Sequence, residues 1–504
     1  MLDAVRALAF VGDLSMGQPV DHSTRTAWLA RRLAVEWART RGIGGAEAPD
    51  HAACVALLRW SGCTANAPEF AALLGDDVGG RDAMLTTASA AEAAAFAGSV
   101  GELARIHCEV SGEIACVLGL PAEVERALRD IFETHDGQGK PAGLSAEAIP
   151  AAVYHVALAG DLEIFTRAHG LEAALRQIGE RADARYPAAM AAMIRRHGAD
   201  WLAALDDGAH EREDESEARW RLATLETPLE LVADVIDLKL PWMTGFSRRV
   251  ARAAREAAAA LELDTATQEQ VYRAALIHGI GRASVPNTLW DPGRRLGEAD
   301  RERLRLVPYW TGRAGRRLST LADEAELASF VDERLDGSGA FRGARAASLG
   351  LPARLLAAAA HAMDLMTARP GRPALSAGAA CERLRSEVAA GRHDAAAVAA
   401  LALDGGRPVP EALPAPAGGS LLSAREAGNT LLSAREASNT LLSAREAEVL
   451  ARIAVGESNK EAARTLGISP STVRTHLESA FRKLGCSTRA AATLKASTLG
   501  LLPA

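Results

Sequence analysis

LSAREAEVLARIAVGESNKEAARTLGISPSTVRTHLESAFRKLG, Leu442 to Gly485, is the stretch whose local signals are dense enough to place the rest of the chain. Ser443 and Glu446 have the spacing of a capping box, which satisfies two orphan backbone donors at a helix start. That box opens the helix AREAEVLARIAVG, and Gly456 ends it. Asn459 is expected to cap the short helix KEAARTLG. GISPST then turns the chain, with Ser469 as N-cap and Pro470 at the first helical position, where a missing N–H costs nothing. A third helix runs to Gly485, and TRAAATLKASTLGLL supplies a fourth.

Two helices joined by a tight turn, the second polar on one face, have the geometry that enters a major groove. Val473, Leu477, Phe481 and Leu484 recur at helical spacing and are expected to face the core. Thr472, Arg474, Thr475, Glu478 and Arg482 are then left to face outward. Arg474 can donate two hydrogen bonds to a guanine edge, and Glu478 can accept from a cytosine amino group. Lys460, Lys483 and the helix N-terminus are expected to hold phosphates. His476 is read as a packed or phosphate-near residue rather than a base reader.

The pieces SAREAEVL, SNKEAA, SPSTVRTH and KLG stand in order, and the segment resembles the LuxR-type (GerE-like) helix-turn-helix domain almost from end to end. The resemblance implies a four-helix domain that binds double-stranded DNA as a homodimer, with the fourth helix at the dimer contact.

Upstream of this domain, GGRPVPEALPAPAGGS (Gly405 to Ser420) is too rich in Pro and Gly for a helix or a sheet core and reads as a linker. LLSAREAGNT, LLSAREASNT and LLSAREAEVL follow, beginning at Leu421, Leu431 and Leu441. A ten-residue period rotates each copy by roughly 80° from the last, so the copies share no buried helical stripe. They are read as an extension of the linker, with an added protein-contact surface as the alternative. A softer boundary is the charged stretch Asp206 to Arg221.

The body before the linker repeats itself. HDGQGKPAGLSAEAIPAAVYHVALAGDLEIF from His135 matches LDGSGAFRGARAASLGLPARLLAAAAHAMDLM from Leu335, and HSTRTAWLARRLA from His22 matches FSRRVARAAREAA from Phe246. The expected layout is a helical domain at 1–205, a charged connector at 206–221, a second helical domain at 222–404, linker and decapeptides at 405–440, and the DNA-binding domain at 441–504. The fold class is all-α throughout.

With AALIHGIGRASVPNTLWDPGRRLGEADRERLRL and FVDERLDGSGAFRG, the second repeat is similar to the HD-GYP branch of the HD phosphohydrolases, and the first repeat more weakly so. The resemblance implies a metal site for cleaving cyclic dinucleotides, built from an adjacent His-Asp pair and further His and Asp residues. Position by position, most of those ligands are replaced. The first-helix histidine is His22 in one repeat and Phe246 in the other; the His-Asp pair is Arg59-Trp60 and His278-Gly279. The next histidine is His107 and Val307, and the paired histidines are Ile131-Phe132 and Val331-Asp332. The late aspartate is Gly160, beside Asp161, and His361. Apolar side chains in such a pocket leave a divalent cation undersolvated.

His22, His107, Glu133, Asp136, His278, Glu333, Asp336 and His361 therefore mark a vestigial pocket. The isolated histidines are read as core residues, and the turns Asp136-Gly137 and Asp336-Gly337 as local turn chemistry. No metal, no cofactor and no catalytic residue is expected.

Bulk properties fit this outline. Hydrophobic residues make up 48% and aromatics 4% of 504 residues, with long Ala, Leu, Arg and Glu stretches that favour helices. From Leu441 onward the charge balance is +4, which leaves −11 of the total −7 for the rest; a basic tail on an acidic body suits a phosphate backbone partner for the tail alone. Six cysteines lack a CxxC pair and read as reduced thiols. No apolar run is long enough to span a bilayer and no cleavable leader is evident, so a cytoplasmic chain without membrane contact is expected. No G-x-x-x-x-G-K-S/T loop and no receiver pattern appear, which argues against ATP-driven or phosphorelay control.

The sequence thus reads as a one-component transcription regulator, not an enzyme, whose body senses a small-molecule ligand or mediates dimerisation and whose tail meets DNA and, at promoters, RNA polymerase. Two alternatives stay open: a metal-dependent phosphohydrolase of cyclic dinucleotides, and a protein-interaction scaffold tethered to DNA.

Overall fold

The computed structural model describes residues 2–42, 47–86, 90–209, 229–291, 293–315, 318, 320–403 and 441–502. The Pro/Gly segment, the first two decapeptides and residues 210–221 of the charged connector lie outside the described residues. The fold is all-α, with isolated bridges but no strand among the described residues. No helix among them is long and apolar enough to cross a membrane.

Two compact units divide the chain. The first unit, 1–240 with 279–325, carries α1 (Leu2–Ser15), α2 (His22–Arg41), α3 (Glu47–Leu58), α4 (Ala67–Leu74), α5 (Asp77–Thr86), α6 (Ala90–Val117), α7 (Ala122–Arg129), α8 (Ala151–His169), α9 (Leu171–Glu180), α10 (Ala188–Asp206) and α11 (Leu229–Asp237). The alanines of α2 explain its close packing on α3 and α8. Ala27, Ala30 and Ala34 are buried with Leu29 and Leu33, and side chains this small let helix axes approach closely. Full burial of each of these leucines contributes roughly 1.5–3 kcal/mol.

A buried charge cluster ties α5 to later segments of the same unit. Asp77 accepts from Lys239 Nζ at 2.7 Å and from the Asn287 backbone N–H at 2.6 Å, while Asn287 Nδ2 donates to the Lys239 carbonyl at 2.7 Å. Arg81, one turn along, donates to Asn66 Oδ1 at 2.7 Å and to the Cys63 carbonyl at 2.9 Å, its guanidinium 4.3 Å from the Phe70 ring centroid. Burial pulls the Lys239 ammonium below its ordinary range, and Asp77 opposes that shift.

The second unit, 241–278 with 326–504, holds α12 (Phe246–Ala260), α13 (Thr265–Ile277), α17 (Leu351–Leu365), α18 (Ala377–Ala389) and α19 (Ala395–Ala400). α14 (Glu298–Arg305) and α15 (Val307–Gly315) belong to the first unit, and α16 (Ala322–Ala328) lies where the partition falls. α12 packs on α13 and α17.

The 200-residue repeat is atomic in its detail. Glu133 Oε1 accepts from the Ala142 and Gly143 N–H groups at 2.6 and 3.2 Å, and Oε2 from Leu144 at 2.8 Å. Glu333 does the same to Arg342 at 2.5 Å and Ala344 at 2.8 Å. Asp136 and Asp336 each accept from the N–H two residues on, and Gly137 and Gly337 take φ of 79° and 81°. A buried carboxylate thus staples the same loop in both repeats.

The C-terminal domain is α20 (Ala444–Ala454), α21 (Asn459–Leu466), α22 (Pro470–Leu484) and α23 (Arg489–Thr498). Ser443 and Glu446 form the predicted capping box, and Ser469 caps α22 with Pro470 first in the helix. The α21 cap is Ser458, not Asn459: Ser458 and Glu461 make a second capping box, which pushes Asn459 to the first helical position. Gly467 closes α21 at φ 64°, the left-handed turn that sets the angle between α21 and α22. The core gathers Val449, Leu450, Ile453, Val473, Leu477 and Leu484; Ala480 takes the fully buried slot expected for Phe481, which packs at the core edge. Within the same unit, Thr244 Oγ1 donates to the Ala454 carbonyl at 2.7 Å, satisfying one of the open acceptors at the end of α20.

Candidate nucleic-acid interface and the altered metal pocket

α22 presents Arg474, Thr475, Glu478 and Arg482 to solvent on one face, as the apolar spacing requires. Arg474 Nε donates to Glu478 Oε1 at 2.7 Å, and both side chains are mostly exposed. That pair raises the Arg474 guanidinium above its ordinary range and holds the two base-reading candidates side by side. Thr475 Oγ1 donates to the Ser471 carbonyl at 3.1 Å, leaving its methyl group outward. Thr472 is half-buried and its hydroxyl is taken up by Ser469 Oγ at 2.8 Å, so it belongs to the cap more than to the reading face.

Lys460 is exposed at the start of α21. Lys483 Nζ pairs with Glu446 Oε2 at 2.6 Å while its side chain stays 36% exposed. Burial works against the Glu446 charge, but Lys483, Ser443 and Ser479 hold its carboxyl down at about 2. Arg489, exposed at the start of α23, donates from Nη2 to Asn459 Oδ1 at 2.8 Å.

In the first repeat, the positions that the HD-GYP resemblance assigns to the metal converge on one point. α2 delivers His22 at its first residue, the end of α3 delivers Arg59 and Trp60, α6 delivers His107, and α8 delivers Gly160. His22 Nδ1 donates to Glu163 Oε2 at 2.5 Å, and His22 Nε2 accepts from Arg59 Nη2. His107 Nε2 donates to the Arg59 carbonyl at 2.7 Å, and its Nδ1 meets Cys63 Sγ at 3.6 Å. The Arg59 guanidinium lies 4.5 Å from the Trp60 ring centroid and donates to the Val156 carbonyl at 3.3 Å. Phe132 packs 4.8 Å from His107 and 6.4 Å from Trp60, centroid to centroid.

Burial lowers Arg59 to about 10, with Asp13, Asp161 and Glu163 opposing. Burial also raises Asp13 to about 8 against its hydrogen bonds from Ser23, and lowers His107 to about 4. His22 is lowered by burial despite Glu163.

This donor set does not fit a divalent cation. Both nitrogens of His22 and both of His107 are already spent, and a buried guanidinium stands among them. In the second repeat, His278 Nδ1 donates to the Ala275 carbonyl at 2.5 Å and its ring packs on Phe246, 5.9 Å away. Asp332 is exposed, and Glu333 and Asp336 are spent on the loop. His361 Nδ1 lies 3.3 Å from His393 Nε2, a partner that no sequence signal marked. Burial lowers His393 to about 4. No group of three or more His, Cys, Asp or Glu able to hold a metal occurs among the described residues.

The fold and these sites define a helix-turn-helix DNA-binding domain joined to an HD-type helical body. Family models match an HD domain over residues 230–397 and the bacterial regulatory proteins of the luxR family over 440–496, so the chain carries both. It is 27% identical over 282 residues, 54% of this chain and 61% of the relative, to the 3'3'-cGAMP-specific phosphodiesterase 3 of Vibrio cholerae serotype O1. The 3'3'-cGAMP-specific phosphodiesterase 1 of the same organism is 31% identical over 166 residues, and the chain spans only 38% of its length. The tail is 48% identical over 56 residues, 11% of this chain and 20% of the relative, to the HTH-type transcriptional activator RamA of Corynebacterium glutamicum. A crystal structure of a cyclic GMP-AMP specific phosphodiesterase of V. cholerae shares the fold, with TM-score 0.55 and 21% identity over 81% of this chain and 98% of that one.

Proposed function

We propose that this chain is a sequence-specific, DNA-binding transcription regulator whose HD-type body does not hydrolyse cyclic dinucleotides but senses a ligand or holds a homodimer together. The observation that carries the reading is the contrast between its two sites. The α22 face keeps a guanidinium and a carboxylate exposed beside a capped helix N-terminus, which suits base edges and phosphates. The pocket in the body has its histidine nitrogens occupied. A ligand bound by the body would act by changing the geometry with which two tails meet two half-sites, and RNA polymerase would be met at the promoter.

Selection of bound duplexes from a random pool by the full chain, followed by anisotropy on the enriched sequence, tests this reading. A defined motif bound at least a hundredfold better than random duplex supports it; equal binding of all sequences refutes it. The phosphodiesterase relatives motivate a second reading, catalysis on a cyclic dinucleotide. Turnover of 3'3'-cGAMP by the full chain supplied with Mn2+ or Fe2+ would move that reading to the front.

A further inference from the structure

We propose that in the first repeat Arg59 is a resident cation that has taken over the charge role of a metal, and that Gly160 is the complementary residue that makes room for it. The inference concerns the body alone and stands whether or not the tail reads DNA.

Three observations converge on it. First, Arg59 is 4% exposed, and its guanidinium meets the lone pair of His22 Nε2, the atom that a first-helix histidine would otherwise turn toward a cation. The hydrogen on Nδ1 goes to Glu163, so the tautomer is the one a ligating histidine adopts, with the guanidinium standing where the ion would be. Second, Arg59 lies among acids. Asp161 and Glu163 act on it electrostatically and favour its charged form against the cost of burial. Third, a Cβ added to Gly160 would fall 2.0 Å from Arg59 Nη1 and 2.9 Å from Cζ. No side chain fits at 160 while the guanidinium is in place. The resemblance puts an aspartate there, so the two replacements form a coupled exchange: a cationic side chain enters at 59 and the carboxylate leaves at 160.

Arg59 also anchors the surrounding groups. Its carbonyl accepts from His107, its Nη1 donates to the α8 carbonyl of Val156, and Trp60 covers its face. A bound metal would likewise draw α2, α3, α6 and α8 to one point. The guanidinium holds α2 and α8 with hydrogen bonds that need no metal supply, and the Arg59 backbone carbonyl adds α6.

The test is a double-mutant cycle in the full chain, read by hydrogen–deuterium exchange of peptides spanning residues 22–41 and 151–169. Gly160→Ala is expected to reduce protection at least tenfold in the native background and less than twofold in an Arg59→Ala background. Arg59→Met, which keeps the length and removes the charge, is expected to lose at least tenfold. Guanidinium ion at tens of millimolar is expected to restore protection to Arg59→Ala where the same concentration of urea does not. A cost of Gly160→Ala that persists without Arg59 would overturn the pairing. Arg59→Met as well protected as the native chain, or no difference between guanidinium and urea, would overturn the charge role.

Discussion

Glu446→Gln isolates one charge in the DNA-binding domain. The glutamine keeps an oxygen able to reach the Ser443 N–H, so the capping geometry survives, but the ion pair with Lys483 is removed. The native carboxyl sits at about 2 against an ordinary 4.5, a difference that sets a ceiling of ~3 kcal/mol on the charge's contribution. Lys483 is 36% exposed along its side chain, and water screens that partner, so an effect of about 1–2 kcal/mol is expected. That corresponds to a roughly 5- to 30-fold loss of exchange protection in peptides covering α20 and α22, with α8 unchanged. The pH dependence has a definite sign. A carboxyl held below its unfolded value stabilises the fold above about 5 and loses that contribution as pH falls towards about 2. Native and variant chains should therefore converge in intrinsic-rate-corrected protection at the acid end. Equal protection at pH 7, or a gap that persists undiminished at pH 2, would refute the reasoning.

Arg474→Ala is expected to relax sequence preference at one base pair by about 1–3 kcal/mol, whereas Lys460→Ala weakens all duplexes alike and lowers the slope of log K against log salt by about 1; anisotropy on matched and random DNA separates the two. Asp77→Ala strands the Lys239 ammonium in the interior and should destabilise the first unit by about 3–5 kcal/mol, seen as proteolysis of that unit at lower temperature. His155 is buried, neither ring nitrogen has a hydrogen-bond partner among the described residues, and burial lowers it to about 4. A base held neutral in the fold loses stability as pH falls from about 6.5 to about 4. His155→Leu should thus raise the melting temperature at pH 5 more than at pH 8, and an equal shift at both would count against it.

The C-terminal domain was legible because its signals are local. Caps, a turn and a 3.6-residue apolar spacing all fall within 44 residues, and the one misplaced cap, Asn459 for Ser458, was an error of a single position between two good capping residues. The repeat at offset 200 was legible for the same reason. The role of Arg59 was not. In sequence, Arg59-Trp60 reads only as the loss of a ligand pair, because what the arginine gains depends on His22, Glu163 and Gly160, which the chain brings to it from α2 and α8. Lys239 and Asp77 are 162 residues apart, and His393 lies in no motif, so neither pairing leaves a trace in local spacing. The pair of Lys483 with Glu446, 37 residues away, likewise leaves no trace in the spacing of its own helix.

The carboxylate staple at Glu133 and Glu333 has a wider consequence. It holds its loop from beneath, through backbone N–H groups that any sequence supplies, and is indifferent to what chemistry the loop borders. A lineage can empty or refill the neighbouring pocket while this bracket keeps the architecture standing. Whether the pocket beside such a loop still works has therefore to be read from the atoms inside it.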